Sequence, residues 1–161
     1  MRKIKTSWGQ KFERACTQDL PKVVKIEGKM TTRWGTGTVV IPNPKDIDEL
    51  MKTVPKGRLL TINEIRQYMA AKNGASIGCP ITTGIFAWLA ANRAQELADQ
   101  GKKGTIPYWR TLKTGGEINP KYPGGVERQR ELLEGEGHIV IQRGKRWLVT
   151  DYKKKLLTLT I

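Results

Sequence analysis

Residues 61 to 101 carry closely spaced helix start and stop signals. Thr61-Ile62-Asn63-Glu64 is a capping-box sequence, in which a Thr hydroxyl and a Glu carboxylate satisfy the free backbone donors of a helix start. The helix is expected to run to Asn73-Gly74, with Ile62, Ile65 and Met69 giving it an apolar face. After a turn from Gly74 to Pro80, a second helix is expected from Thr82 to Gln100. It stops at Gly101 and carries Ile81, Ile85, Trp88 and Leu89 on one face. Two helices joined by a short glycine-containing turn form a helix-turn-helix candidate.

On the second helix Ala87, Ala91, Ala94 and Ala98 recur at helical spacing and make a smooth stripe of small residues. Such a stripe admits either of two partners, a DNA groove or another helix packed close. On the first reading Thr82, Thr83, Ala87, Ala91 and Arg93 are candidate DNA contacts. Further on, His138 to Tyr152 reads as two β-rich runs around a Gln142-Arg143-Gly144-Lys145 turn, a hairpin signal. Arg143, Lys145 and Arg146 at its tip and flank suit phosphate contacts, in the manner of a winged helix-turn-helix. The Lys153-Lys154-Lys155 run either adds to that surface or is simply solvated.

Upstream, Trp8, Phe12 and Cys16 fall on one side of a short helix. Lys22 to Ile26 and Met30 to Ile41, broken by glycines, read as a β-hairpin or small sheet, and Asp46 to Thr53 as a short helix before the Pro55-Lys56-Gly57 turn. The fold class expected is α+β. Residues 1–53 form an N-terminal helix and β-hairpin extension, and residues 54–161 a winged-helix-like domain with a C-terminal hairpin.

Twenty-nine Lys and Arg against fifteen Asp and Glu leave a formal charge of +14 on 161 residues. Solubility alone asks for a net charge of about 2–8 on a small domain, so a polyanion, nucleic acid above all, is the leading partner. No apolar run approaches the roughly 20 residues of a membrane span, and the start MRKIKTSWGQ has no apolar segment after its charges. A soluble, cytoplasmic protein with no membrane partner is expected. The two cysteines, Cys16 and Cys79, lie far apart, and His138 is the one histidine, so neither a metal site nor a disulfide framework is implied. No phosphate-binding glycine loop occurs, and no cofactor is expected.

From Val54 to Val140 the order of features resembles the DNA-binding domain of the alkylguanine DNA alkyltransferases, the methylated-DNA–protein-cysteine methyltransferase family. The parts are Val54-Pro55-Lys56-Gly57, Asn92 in the second helix, Pro107-Tyr108-Trp109-Arg110, Tyr122-Pro123-Gly124-Gly125, and Leu132-Leu133-Glu134-Gly135-Glu136-Gly137-His138. In that family the loop after the recognition helix reads Pro-Cys-His-Arg; its thiolate attacks the alkyl carbon and its histidine, linked to a glutamate, takes the proton. Here Tyr108 stands for the cysteine and Trp109 for the histidine. A phenol with pKa about 10 is ionised to roughly one part in a thousand at neutral pH, and an indole has no basic nitrogen.

The pattern is similar to the alkyltransferase-like proteins, non-catalytic relatives that bind alkylated DNA and hand the lesion to excision repair. The resemblance implies double-stranded DNA as partner, a DNA-repair protein as a second one, and no enzymatic activity. It places Tyr108, Trp109, Tyr122, Asn92 and Glu136 in a pocket, with Arg110 beside the replaced cysteine. Where those relatives carry an arginine finger and a nucleotide-rotating tyrosine, this chain has Thr83 and Ile62. Asn92 to Pro107 is about eight residues longer than the family pattern, enough for roughly two more helical turns. Tyr108 and Trp109 either stack on an exposed base or plug the old pocket as core. Two other functions stay open: a winged-helix regulator or nucleoid-type binder indifferent to lesions, and an active alkyltransferase using Cys16, Cys79 or Tyr108. RNA binding also fits the charge, without an RRM-type run to support it.

Overall fold

The computed structural model describes residues 6–160; residues 1–5 of the charged start lie outside them. Helix α1 (Trp8–Cys16) opens on a reciprocal cap in which the Ser7 hydroxyl accepts from Gln10 N at 3.1 Å and the Gln10 side chain accepts from Ser7 N at 2.9 Å. Strand β1 (Lys22–Lys25) pairs antiparallel with β2 (Thr38–Ile41). Between them the expected strand from Met30 is instead a short helix, α2 (Met30–Trp34). Gly28 turns the chain at φ 62°, and Thr31 donates to its carbonyl from the hydroxyl at 2.7 Å and from the amide at 3.2 Å. These local bonds outweigh the β-propensity of the Thr pair. Helix α3 (Pro44–Lys52) starts from an Asn43 cap with Pro44 in its first turn, and buries Ile47, Leu50 and Met51.

The punctuated segment folds as expected at its ends. After β3 (Leu60–Thr61), helix α4 (Ile62–Asn73) starts at Thr61, whose amide donates to Glu64 at 3.0 Å and whose hydroxyl donates to the same carboxylate. It ends at Gly74 in the left-handed conformation. The turn to the next helix contains a strand that periodicity does not reveal, β4 (Ile77–Gly78), which lies parallel to β2 with Val39 opposite Ile77 and Val40 opposite Gly78. Helix α5 (Pro80–Asp99) follows, capped by Cys79, whose Sγ accepts from Thr82 N at 3.5 Å. It continues about two turns beyond Asn92. A 3-10 turn (Tyr108–Arg110) leads into β5 (Thr111–Leu112), parallel to β3. Helix α6 (Gly125–Gly135) precedes the antiparallel hairpin of β6 (Val140–Arg143) and β7 (Arg146–Val149), which turns at Gly144-Lys145, one place later than expected. The fold is α+β, with a helix-turn-helix pair followed by a basic hairpin.

Phe12, Val40, Ile47 and Met51 share a core with Ile65, Met69, Phe86, Ala87 and Ala91. A second cluster of Leu59, Leu112, Ile118, Leu133 and Val149 lies beneath α6 and the hairpin. The alanine stripe belongs to the first core. Thr83, Ala87 and Ala91 are at 0% exposure and Ala94 at 3%, so the expected groove contact by Thr83, Ala87 and Ala91 is corrected to helix packing. Small side chains let α1, α3 and α4 approach the α5 backbone closely, and that close approach takes up the face. Among the described residues no helix is long and apolar enough to cross a membrane.

Gly78 shows how tightly α4 and β4 fit: a Cβ there would lie 2.5 Å from the Arg66 carbonyl oxygen and 2.8 Å from its Cα. The Arg66 guanidinium also donates through Nε to the Gly78 carbonyl at 2.8 Å. Gly78→Ala is therefore expected to destabilise the fold by about 2 kcal/mol, as overpacking against backbone does. Urea denaturation checks this, and a midpoint equal to wild type would show that the strand can shift freely.

Candidate nucleic-acid interface

With its small residues turned inward, α5 must present its larger apolar residues elsewhere. Ile81 and Ile85, one turn apart, are 54% and 46% exposed, and Trp88 is half-buried beside them. They form the apolar floor of an open groove of about 570 Å³ between the first turns of α4 and α5 and the loop from Lys113 to Lys121. Ile62 and Arg66 come from α4, and Lys113 and Lys121 from the loop; no carboxylate lines the groove. Gly84 lies on its floor, with nothing within 4 Å of where a Cβ would stand. The Trp88 indole donates to the Lys121 carbonyl at 3.1 Å and ties the loop to the helix.

The hairpin supports the same wall. Ile118 N donates to Trp147 O at 2.8 Å and Val149 N to Gly116 O at 2.9 Å. Glu117 receives Arg146 at 3.4 Å and Lys113 at 3.9 Å, so one carboxylate holds two cations side by side. Arg143 and Lys145 are exposed at the hairpin tip, and the cationic surface runs from the groove rim through Arg146 to that tip.

The residues expected to form a pocket are mostly together, but they close it. Tyr108 is 3% exposed, as is Tyr122. The Tyr108 ring stands edge-on to Trp109 and Tyr122, with centroids 5.4 and 6.1 Å away. Its hydroxyl donates to the Gln95 side-chain oxygen at 2.9 Å. Burial pushes both phenols above their ordinary pKa, which further suppresses the phenolate of Tyr108. Glu136 accepts from Trp109 Nε1 at 3.2 Å and from Arg110 Nε at 2.9 Å, while Arg110 Nη1 donates to the Val54 carbonyl at 2.8 Å. Burial acts to raise the Glu136 carboxyl, but the bonds from Arg110 and Trp109 overcome it and hold the group below its usual range.

Several expected site residues lie elsewhere. Arg110 is committed to Glu136 and Val54 and is not free for phosphate. Arg93 is turned toward the N-terminal elements, 3.9 Å from Asp48 and with its guanidinium 4.5 Å from the Phe12 ring. Thr82 is half-buried, its hydroxyl enclosed. Asn92 donates to the Trp88 carbonyl at 2.9 Å and lines a hollow with Trp8, Glu96 and Asp99, apart from the aromatic cluster. The groove residues Arg66, Lys113 and Lys121 were not singled out from sequence. Arg66 was legible, since it follows Ile62 by one turn on the outer side of a capped helix; the two lysines sit in a loop without periodicity.

Glu136→Gln is expected to lower stability at pH 7 by about 2–3 kcal/mol, because it strands a largely buried guanidinium. Folding depresses the Glu136 pKa, so the advantage of the wild-type chain is present above the unfolded carboxyl pKa of about 4.3 and is lost as pH falls through the folded value. Denaturation midpoints of the two chains should therefore converge in acid; a gap independent of pH would show that the carboxylate charge is not the source.

No family model and no curated protein matches the sequence. Among solved structures the chain is similar to S. pombe ATL in complex with DNA, at 15% identity and a TM-score of 0.50, over 72% of this chain and 94% of that one. A second S. pombe structure, Atl1 in complex with damaged DNA containing O6-carboxymethylguanine, aligns over the same shares at 18% identity and a TM-score of 0.48. The first likeness shows a shared fold, the one that the order of sequence features implied.

Proposed function

We propose that this chain binds double-stranded DNA and responds to distorted or alkylated bases without transferring an alkyl group. The observation that carries the reading is the groove on α5, whose rim holds Arg66, Lys113 and Lys121 and no carboxylate. A cationic cleft with low-dielectric walls focuses the field that a net charge of +14 creates. The basic hairpin beside it fits the phosphate-positioning role of a wing. The likeness to a protein solved in complex with DNA supports the same partner.

Loss of chemistry follows from the three groups able to act as nucleophile. Tyr108 is buried and its phenol pushed up. The Cys16 thiol is also pushed up, by burial first and then by Glu13. Cys79 is buried, with Sγ accepting a helix-capping hydrogen bond. A soft, ionised, accessible nucleophile is what alkyl transfer needs, and none of these groups meets all three conditions.

A second reading, a regulator or nucleoid-type binder blind to lesions, is favoured by the closed Tyr108–Tyr122 cluster, which fills the place where a flipped base would stack. Fluorescence-anisotropy titration of duplexes differing in one O-alkylated guanine, with intact mass recorded afterwards, separates the possibilities. The expected result is tighter binding to the lesion at unchanged mass, with a steep salt dependence. Lys113→Gln and Lys121→Gln should each reduce the salt slope by about 1. Equal affinity for both duplexes would leave the regulator, and an added alkyl mass would establish a transferase.

A further inference from the structure

We propose that Ile81 is a wedge that enters the base stack of a bound duplex, so that recognition rests on how easily a base step opens. This inference rests on the duplex-binding reading above and names what the groove's apolar floor does there. Large apolar side chains exposed on a soluble protein call for a partner when they cluster. Four are exposed among the described residues, and two of them, Ile81 and Ile85, are successive turns of one groove. The three charged side chains lining that groove are all cationic, which selects a polyanion over an apolar protein surface as the occupant. A partner that offers phosphates at the rim and apolar faces at the floor is a duplex with an opened base step.

Local geometry favours Ile81 over its neighbours as the residue that enters. It sits in the first turn of α5, where Pro80 sets the backbone and Cys79 caps the helix. Its β-branched side chain is stiff at χ1, so little freedom is lost when it is ordered between bases. One turn on, Ile85 is positioned to cover the edge of the opened step. Between them Gly84 is a helix-interior glycine with no neighbour that forbids a Cβ. A glycine there weakens the helix without any packing reason inside the protein; close approach of a ligand to the helix backbone supplies one. Apolar side chains that part base steps from the minor groove kink the duplex, and the cost of unstacking is least where pairing is already weak. The wedge thereby yields a preference for distorted DNA without a pocket for a flipped base, in keeping with the buried Tyr108 and Tyr122.

The test uses the full chain, Ile81→Ala and Gly84→Ala, with matched and singly mismatched duplexes carrying 2-aminopurine beside the mismatch. Wild-type protein is expected to bind the mismatched duplex about tenfold more tightly and to raise the 2-aminopurine fluorescence as the base unstacks. Ile81→Ala should keep the affinity for matched duplex within about threefold and the same salt slope, because the rim charges are untouched, while losing the preference and the fluorescence rise. Gly84→Ala should raise the thermal midpoint and weaken binding to both duplexes. Should Ile81→Ala retain the mismatch preference and the fluorescence rise, the wedge is overturned while duplex binding stands, and the apolar floor would belong to a protein partner. Failure of the wild-type chain to bind any duplex would overturn the functional reading and the wedge with it.

Discussion

Close packing against one face of α5 determines where the rest of the chain can go. Thr83, Ala87, Ala90, Ala91 and Ala94 are all buried, and their small size brings α1, α3 and α4 near the helix axis, where dispersion contacts accumulate. Glu96 on the same helix accepts from the amides of Trp8 and Gly9 at 2.8 and 3.1 Å, satisfying donors that the first turn of α1 leaves free. The Trp8 ring then meets Trp88 edge-on with centroids 4.9 Å apart. Once that face is used for the core, Ile81 and Ile85 have no interior position left, and the apolar floor of the groove is its geometric consequence.

The aromatic loop obeys a second constraint, the need to satisfy polar groups that leave water. Tyr108 brings a hydroxyl into the interior and gives it to Gln95, whose amide nitrogen in turn donates to Asp99 at 2.8 Å. Trp109 and Arg110 deliver donors to one carboxylate, Glu136, on the far end of α6. A paired guanidinium that also donates to the Val54 carbonyl ties three chain segments together. In this setting the loop holds the fold, and the groups that would bear alkyl-transfer chemistry in the resembling family have become hydrogen-bonding and packing partners.

Much of this was legible in the sequence because the signals are local. The caps at Ser7, Asn43 and Thr61, the stop at Gly74 and the hairpin at Gly144 follow from which atoms can satisfy a free backbone group within a few residues. Periodicity identified the two faces of α5 but could not say which one is buried, since alanine and isoleucine both count as apolar. Packing decided it, because only small residues allow three helices to approach together. The two-residue strands were illegible for another reason: β4 is defined by its register with Val39 and Val40, and β5 by Leu60, partners far away in sequence. The loop carrying Lys113 and Lys121 is likewise fixed by long-range bonds to Trp147 and Trp88, for which no window of the sequence gives a sign.

Charge along α5 is divided in a way that bears on how a polyanion would lie. Toward its C-terminal half Asp48 meets Arg93, Glu96 caps α1, and Asp99 accepts from Gln95, so the acidic groups there are engaged internally and face a hollow lined by Glu96 and Asp99. Toward its N-terminal half the groove lining holds only cations, and the free amides of the helix start add a positive dipole end. A helix of this length spans about 30 Å, three times the Debye length of about 10 Å at 0.1 M salt, so the two ends act on a ligand independently. Phosphates are drawn to the first turns and repelled from the last, which orients a duplex across the start of α5 and brings Ile81 and the basic hairpin to the same side of it.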